Sequence, residues 1–136
     1  MMNFTAVNVL AILVVGVAYM VVGFLWYGPL FAKPWMKLVG MTQEDLQRGA
    51  NPVMYLGTFV GALVAAYVLA LFINATQMTT LLGGAGVGLL AGLGFVAPSF
   101  GANYIFGRRP LSLYLIDAGY QIVSLMIGGI ILGLWR

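Results

Sequence analysis

The residue best placed for chemistry is Asp117, a carboxylic acid set inside a long apolar run. Gln121, Ser124 and Gly128 follow it at steps of three and four, so a helix carries all of them on one face. An aspartate at the centre of a membrane helix costs ~2.5–3.5 kcal/mol on insertion scales, so this face must meet protein or water. The preceding run offers it a partner. Ser99 and Asn103 share a helical face with Gly92 and Gly88, and the two runs are joined by Gly107, Arg108 and Arg109. If they pair antiparallel through that turn, Asp117 falls beside Phe100, with Ser99 and Asn103 within a turn of it. Gln121 then faces the Val96 region. Arg108 and Arg109 can extend toward the carboxylate along their long stems. Two readings follow. Asp117 is either a proton- or cation-binding group in a transport path, or a hydrogen-bonded or ion-paired lock between two helices.

The residue types that are missing narrow the chemistry further. There is no cysteine and no histidine, which removes the thiolate, the disulfide, the usual general base and the commonest metal ligand. No catalytic residue, metal site or cofactor is expected, and enzymatic activity on a lipid or lipophilic thiol is the least favoured reading. Gly84, Gly86 and Gly88 imitate a nucleotide-binding loop, but they lie in an apolar run without the strand-turn-helix context. The net charge of +3 needs no nucleic acid, since loop cations beside lipid headgroups account for it.

The elements that must position Asp117 follow from composition. The chain is 62% hydrophobic and 7% charged, against about 25% charged in a soluble domain. Most of its surface must therefore face lipid or other protein. A span needs about 20 apolar residues, and four runs qualify, over about 5–27, 52–73, 80–106 and 110–135. They are continuously apolar rather than alternating, and helices satisfy their own backbone groups within hydrocarbon. The expected fold is all-α, a four-helix transmembrane bundle forming one domain over 1–136. The first run is too long for the core of a cleaved signal and is read as a span. Asn51 before Pro52 reads as an N-cap, Pro110 opens the fourth run, and Pro98 is expected to kink the third.

Only one connection is extended, about 28–51. Its first part mixes Phe31, Lys33, Trp35 and Lys37, as suits a segment at the headgroup level. Its second part begins a short polar helix at Thr42, with Glu44 and Asp45 in the first turn and Gly49 at its end. Lys33, Lys37, Arg48, Arg108 and Arg109 fall on one side of a four-span bundle and only Arg136 on the other. The positive-inside rule places those two loops in the cytoplasm and both termini outside, in a bacterial inner membrane.

Glycine supplies the remaining pattern. Gly84, Gly88 and Gly92 recur every four residues in the third run, Gly57, Gly61 and Ala65 in the second, and Gly129 and Gly133 in the fourth. Such stripes let helix backbones approach closely, within a bundle or between protomers, or line a conduit. Trp26, Tyr27, Trp35 and Tyr104 are expected as interfacial anchors, with a headgroup or ligand pocket as the alternative.

Two blocks resemble a known family. Trp26-Tyr27-Gly28-Pro29-Leu30-Phe31, then Lys33-Pro34-Trp35-Met36 and Gly40-Met41-Thr42, is similar to the first block of a family of small bacterial and fungal membrane proteins. Asn103-Tyr104-Ile105-Phe106, Arg108-Arg109-Pro110-Leu111 and Ile116-Asp117-Ala118-Gly119-Tyr120 resemble its second. That family is domain of unknown function seventeen-sixty-one (DUF1761). The resemblance implies four spans and no assigned activity, and it places Trp26, Tyr27, Trp35, Asn103, Asp117 and Tyr120 in a shared motif. The functional expectation is a small oligomeric transporter or channel-like protein for an ion or small solute. The alternative is a non-catalytic scaffold subunit of a membrane complex. The expected partners are the lipid bilayer, further copies of the chain and a membrane-complex partner, with no nucleic acid.

Overall fold

A computed structural model describes residues 4–5, 7–49 and 52–135. Four helices are long and apolar enough to cross a bilayer: Val9–Leu30, Pro52–Thr76, Leu81–Phe106 and Leu111–Leu134. Two short helices, Ala32–Val39 and Gln43–Gly49, occupy the connection between the first and second spans. No strand occurs among the described residues. The chain is an integral membrane protein of the all-α class. The Asn51 cap and Arg136 lie outside the described residues.

Local chemistry sets where the helices start and stop. The first span begins at Val9, later than the apolar run suggests, because the Asn8 side chain accepts from the Ala11 N–H at 3.1 Å. It also runs on past Tyr27. Gly28 departs from helical angles and Pro29 has no N–H, so the last turn widens and the Phe31 N–H reaches the Trp26 carbonyl at 2.9 Å. The third span starts with the Thr80 hydroxyl accepting from Gly83 N–H at 2.9 Å. It too contains a π-turn, Gly92–Val96, just before Pro98. Proline cannot donate to the carbonyl four residues back and its ring crowds that carbonyl, and the wider turn relieves both. In the polar helix Gln43–Gly49, Thr42 and Asp45 cap each other reciprocally. The Asp45 N–H donates to the Thr42 hydroxyl at 3.1 Å and the Thr42 N–H to the Asp45 carboxylate at 3.0 Å.

The fourth span is the hub, touching each of the other three, while the second and third touch each other little. The core is built from Ala11, Ile12, Val15 and Tyr19 of the first span and Ala62, Ala66, Leu69, Ala70 and Ile73 of the second. Tyr120, Leu125 and Leu132 of the fourth complete it. Each set recurs at helical spacing. Leu10, Leu13, Val17, Val60, Val64 and Leu90 point outward, where lipid solvates them.

The third span joins the fourth through backbone rather than side chains. A Cβ on Gly84 would overlap the Gly129 carbonyl, one on Gly88 the Leu125 carbonyl, and one on Gly133 the Thr80 carbonyl. At Gly92 the nearest atom is Ile122 Cγ1, 2.9 Å from the same position. The pairing is shifted by about one turn from the register the connecting turn suggests, and the π-turn supplies an extra residue in that interval. On the second span, by contrast, nothing among the described residues lies within 4 Å of a Cβ placed on Gly57 or Gly61.

Candidate functional site

Asp117 lies in the second turn of the fourth span, half-buried, and two phenols hold it. The Tyr27 hydroxyl, from the π-turn of the first span, donates to Oδ1 at 2.7 Å. The Tyr104 hydroxyl, from the last turns of the third span, donates to Oδ2. One carboxylate thus ties three of the four spans together at the end of the bundle where the lysines and arginines lie. Within the bilayer each donor stands in for water that the carboxylate has lost.

Aromatic side chains surround this centre. Tyr27 meets Tyr120 edge-on, with ring centroids 5.4 Å apart, and Trp35 of the short helix Ala32–Val39 at 5.6 Å. Tyr104 stacks with Phe100 and meets Tyr114 edge-on. The bonds around the carboxylate fix these rings. Trp26 Nε1–H donates to the Ile116 carbonyl at 2.8 Å, and Gly119 makes the room, since a Cβ there would lie 3.0 Å from the indole. The Tyr114 hydroxyl donates to the Ala97 carbonyl at 2.8 Å, next to the π-turn of the third span. The Tyr120 hydroxyl donates to the Tyr19 carbonyl at 3.0 Å.

The arginines take a different place from the one expected of them. Arg108 occupies the left-handed region, with φ 53°, and closes the third span as the Arg109 N–H donates to the Tyr104 carbonyl at 2.9 Å. That turn carries Arg109 back over the Tyr104 ring, 5.6 Å from its centroid. Arg108 is exposed. Among the described residues no arginine nitrogen pairs with Asp117, and the ion pair present is Arg48 with Glu44 on the exposed polar helix. The Asp117 carboxylate is therefore held by neutral donors, and Arg109 lies over the ring of one of them.

The remaining polar candidates scatter. The Ser99 hydroxyl turns back on its own helix to the Phe95 carbonyl at 2.7 Å, and both Ser99 and Asn103 are exposed. Gln121 is half-buried one turn beyond Asp117. The residues that complete the site are Tyr27 and Tyr104, which the sequence suggests as headgroup anchors. Their hydroxyls, and the Trp26 N–H, instead cross to the fourth span. The available signal was stoichiometric: an intramembrane carboxylate needs donors, and these tyrosines were among the hydroxyls near its depth. Among the described residues no group of three metal-ligating side chains comes together.

The comparisons agree with the resemblance carried by the two sequence blocks. A family model described as protein of unknown function (DUF1761) matches residues 10–133. No curated protein and no solved structure matches the chain.

Proposed function

The chain belongs to the DUF1761 family, proteins of unknown function, and from that premise we propose that it is a small membrane transport protein whose ion-binding group is Asp117. The observation that carries the reading is the carboxylate's company: two neutral phenols and no cation within ion-pairing distance among the described residues. A permanently paired acid needs nothing further, whereas a carboxylate held by hydroxyls can take up a proton or a monovalent cation and give it back. The local backbone geometry supports the same reading. Tyr27 lies within one π-turn and Tyr104 lies one helix segment beyond the other, and π-turns recur where helices serve a function.

With the cation-rich loops in the cytoplasm, Tyr27, Tyr104 and Arg109 stand at the inner mouth and both termini lie outside. Ion-jump currents on protein adsorbed to a solid-supported membrane test the proposal. The wild type should give a transient current after a pH or monovalent-cation jump, and Asp117→Asn should give none. Equal currents remove Asp117 from the mechanism.

One observation favours the second reading, a scaffold or self-associating subunit. Gly57 and Gly61 form a smooth stripe on the second span that no other described residue covers. If it seats a second copy, Gly61→Leu should shift the protein to smaller particles in mass photometry of nanodiscs.

A further inference from the structure

The second and third spans are joined at 77–80 and part as they leave that turn. The second meets the third chiefly over Leu81–Ala91, the segment next to the turn, while both pack on the fourth. Where the π-turn Gly92–Val96 begins, a cavity of about 150 Å³ lies between them. Ala65 and Val68 of the second span and Ala91 and Phe95 of the third wall it, with Leu69 and Leu125 behind. Leu69 and Leu125 are 2% and 6% exposed, whereas Val68 and Phe95 are 39% and 66% exposed. The floor is therefore closed and the rim opens sideways, onto the face where Val64 and Leu93 already meet lipid.

The lining decides what can enter. Every lining side chain is hydrocarbon, and cavities of about this size built from such residues stay dry and admit apolar guests. Left empty, the walls would lack dispersion partners. Because the rim belongs to the lipid-facing surface, the guest at hand is a hydrocarbon chain of the bilayer. The surfaces leading to the cavity add a direction. Ser99 and Asn103 follow Phe95 at steps of four, and the Ser99 hydroxyl donates to the Phe95 carbonyl at 2.7 Å, so the three share a face. Both are exposed in the last two turns of the third span, at the end of the bundle where the lysines and arginines lie. On the second span Gly57 and Gly61 precede Ala65 at the same spacing, and no other described residue covers them. The groove is thus polar at one end, smooth along its length and apolar at the cavity.

The lengths agree with one lipid. Ala91 and Asn103 are twelve residues apart, about 18 Å along a helix. One leaflet holds about 15 Å of hydrocarbon, half the bilayer core. A chain whose head sits level with Asn103 therefore reaches the cavity with its end. We propose that this groove binds one phospholipid, with its head at Asn103 and one acyl chain running past Ser99 into the cavity at the π-turn. The chain supplies the contact that the second and third spans lack over this stretch. The Asn103 amide, costly against hydrocarbon, donates instead to the ester and phosphate oxygens of the head. The site is independent of Asp117 and goes beyond the transport reading.

The test is photolabelling of wild type, Ala91→Phe and Ala65→Leu in vesicles doped with a phospholipid that carries a diazirine near the end of one acyl chain. Adducts are mapped by peptide mass spectrometry, thermal unfolding is measured on each protein, and particle mass is read in nanodiscs. Val17 is the control, the same side chain as Val68 on the first span and the more exposed of the two, at 54%. Exposure alone would label Val17 more. The expected result in wild type is several-fold more label at Val68 than at Val17. Ala91→Phe fills the cavity, so label at Val68 should fall to the Val17 level with unfolding unchanged or shifted upward. Ala65→Leu fills it from the other wall and decides the matter should Ala91→Phe fail to fold. Label at Val68 no denser than at Val17 in wild type overturns the site, as does dense label that persists in a folded, filled variant. Sparse label at Val68 in particles of twice the expected protein mass overturns it in favour of a second copy seated on the groove.

Discussion

The third and fourth spans are joined in two different ways along one seam. At one end Gly84 and Gly88 lie directly on the backbone at Gly129 and Leu125, with no side chain between. At the other end Tyr104 and Tyr114 reach across to Asp117 and to the Ala97 carbonyl. The first contact is dispersion alone, made large by close approach, and it has one geometry. The second consists of hydrogen bonds that can be broken singly and remade elsewhere. A π-turn, Gly92–Val96, separates the two regions. The glycine end is held by backbone contact, and the tyrosine end by bonds between side chains and the fourth span.

The largest effect should come from breaking the fixed end. Gly88→Leu places a side chain into the Leu125 backbone, which cannot yield, and should cost about 3 kcal/mol, the upper range of overpacking. Gly61→Ala, in open space, should cost nothing. SDS-titrated unfolding in mixed micelles measures both, and equal stabilities would mean that the glycine seam is not close-packed.

At the exchangeable end, Tyr27→Phe and Tyr104→Phe should each lower stability by about 0.6–1.7 kcal/mol, the range of single interhelical hydrogen bonds in membranes. Losses as large as that of Gly88→Leu would erase the distinction between the two regions. Tyr114→Phe, which uncaps one carbonyl, should fall near the lower figure, about 0.6 kcal/mol.

The smallest effect lies outside the bundle. The backbone N–H and hydroxyl of Thr42 hold the Asp45 carboxyl below its ordinary value. Because the folded value is the lower one, this contribution is complete above the unfolded value, about 3.9. It is lost as the pH falls through the depressed folded value. Thr42→Ala removes the hydroxyl and keeps the backbone N–H, so it should raise Asp45 part of the way toward the ordinary carboxylate range in an NMR titration and fray Gln43–Gly49, leaving bundle unfolding unchanged.

The four spans were legible because continuous apolarity over a bilayer's thickness has few other uses, and the Thr42 cap because its spacing is local. The inward faces of the third and fourth spans were legible from glycine and Asp117, whereas that of the first was not. Lipid and core are equally apolar, so Leu10 and Ile12 look alike in sequence although one meets lipid and the other the core. Ser99 and Asn103 fell on the outer face because the π-turn Gly92–Val96 rotates the rest of the third span away from the face of Gly88 and Gly92. The pairing register moved by about a turn, and the widened turn before Pro98, itself not visible in residue types, accounts for one residue of that shift. Tyr27 and Tyr104 read as headgroup anchors, and it takes the bundle's rotation to turn their hydroxyls onto Asp117.

The central claim is that the tyrosine end holds an exchangeable ion on Asp117. Its most direct test is ion flux into proteoliposomes containing wild-type protein or Asp117→Asn, both first shown to unfold cooperatively. The account predicts flux in the wild type and none in the variant. Equal flux, or none in either, would contradict it and leave Asp117 as a fastener between three helices.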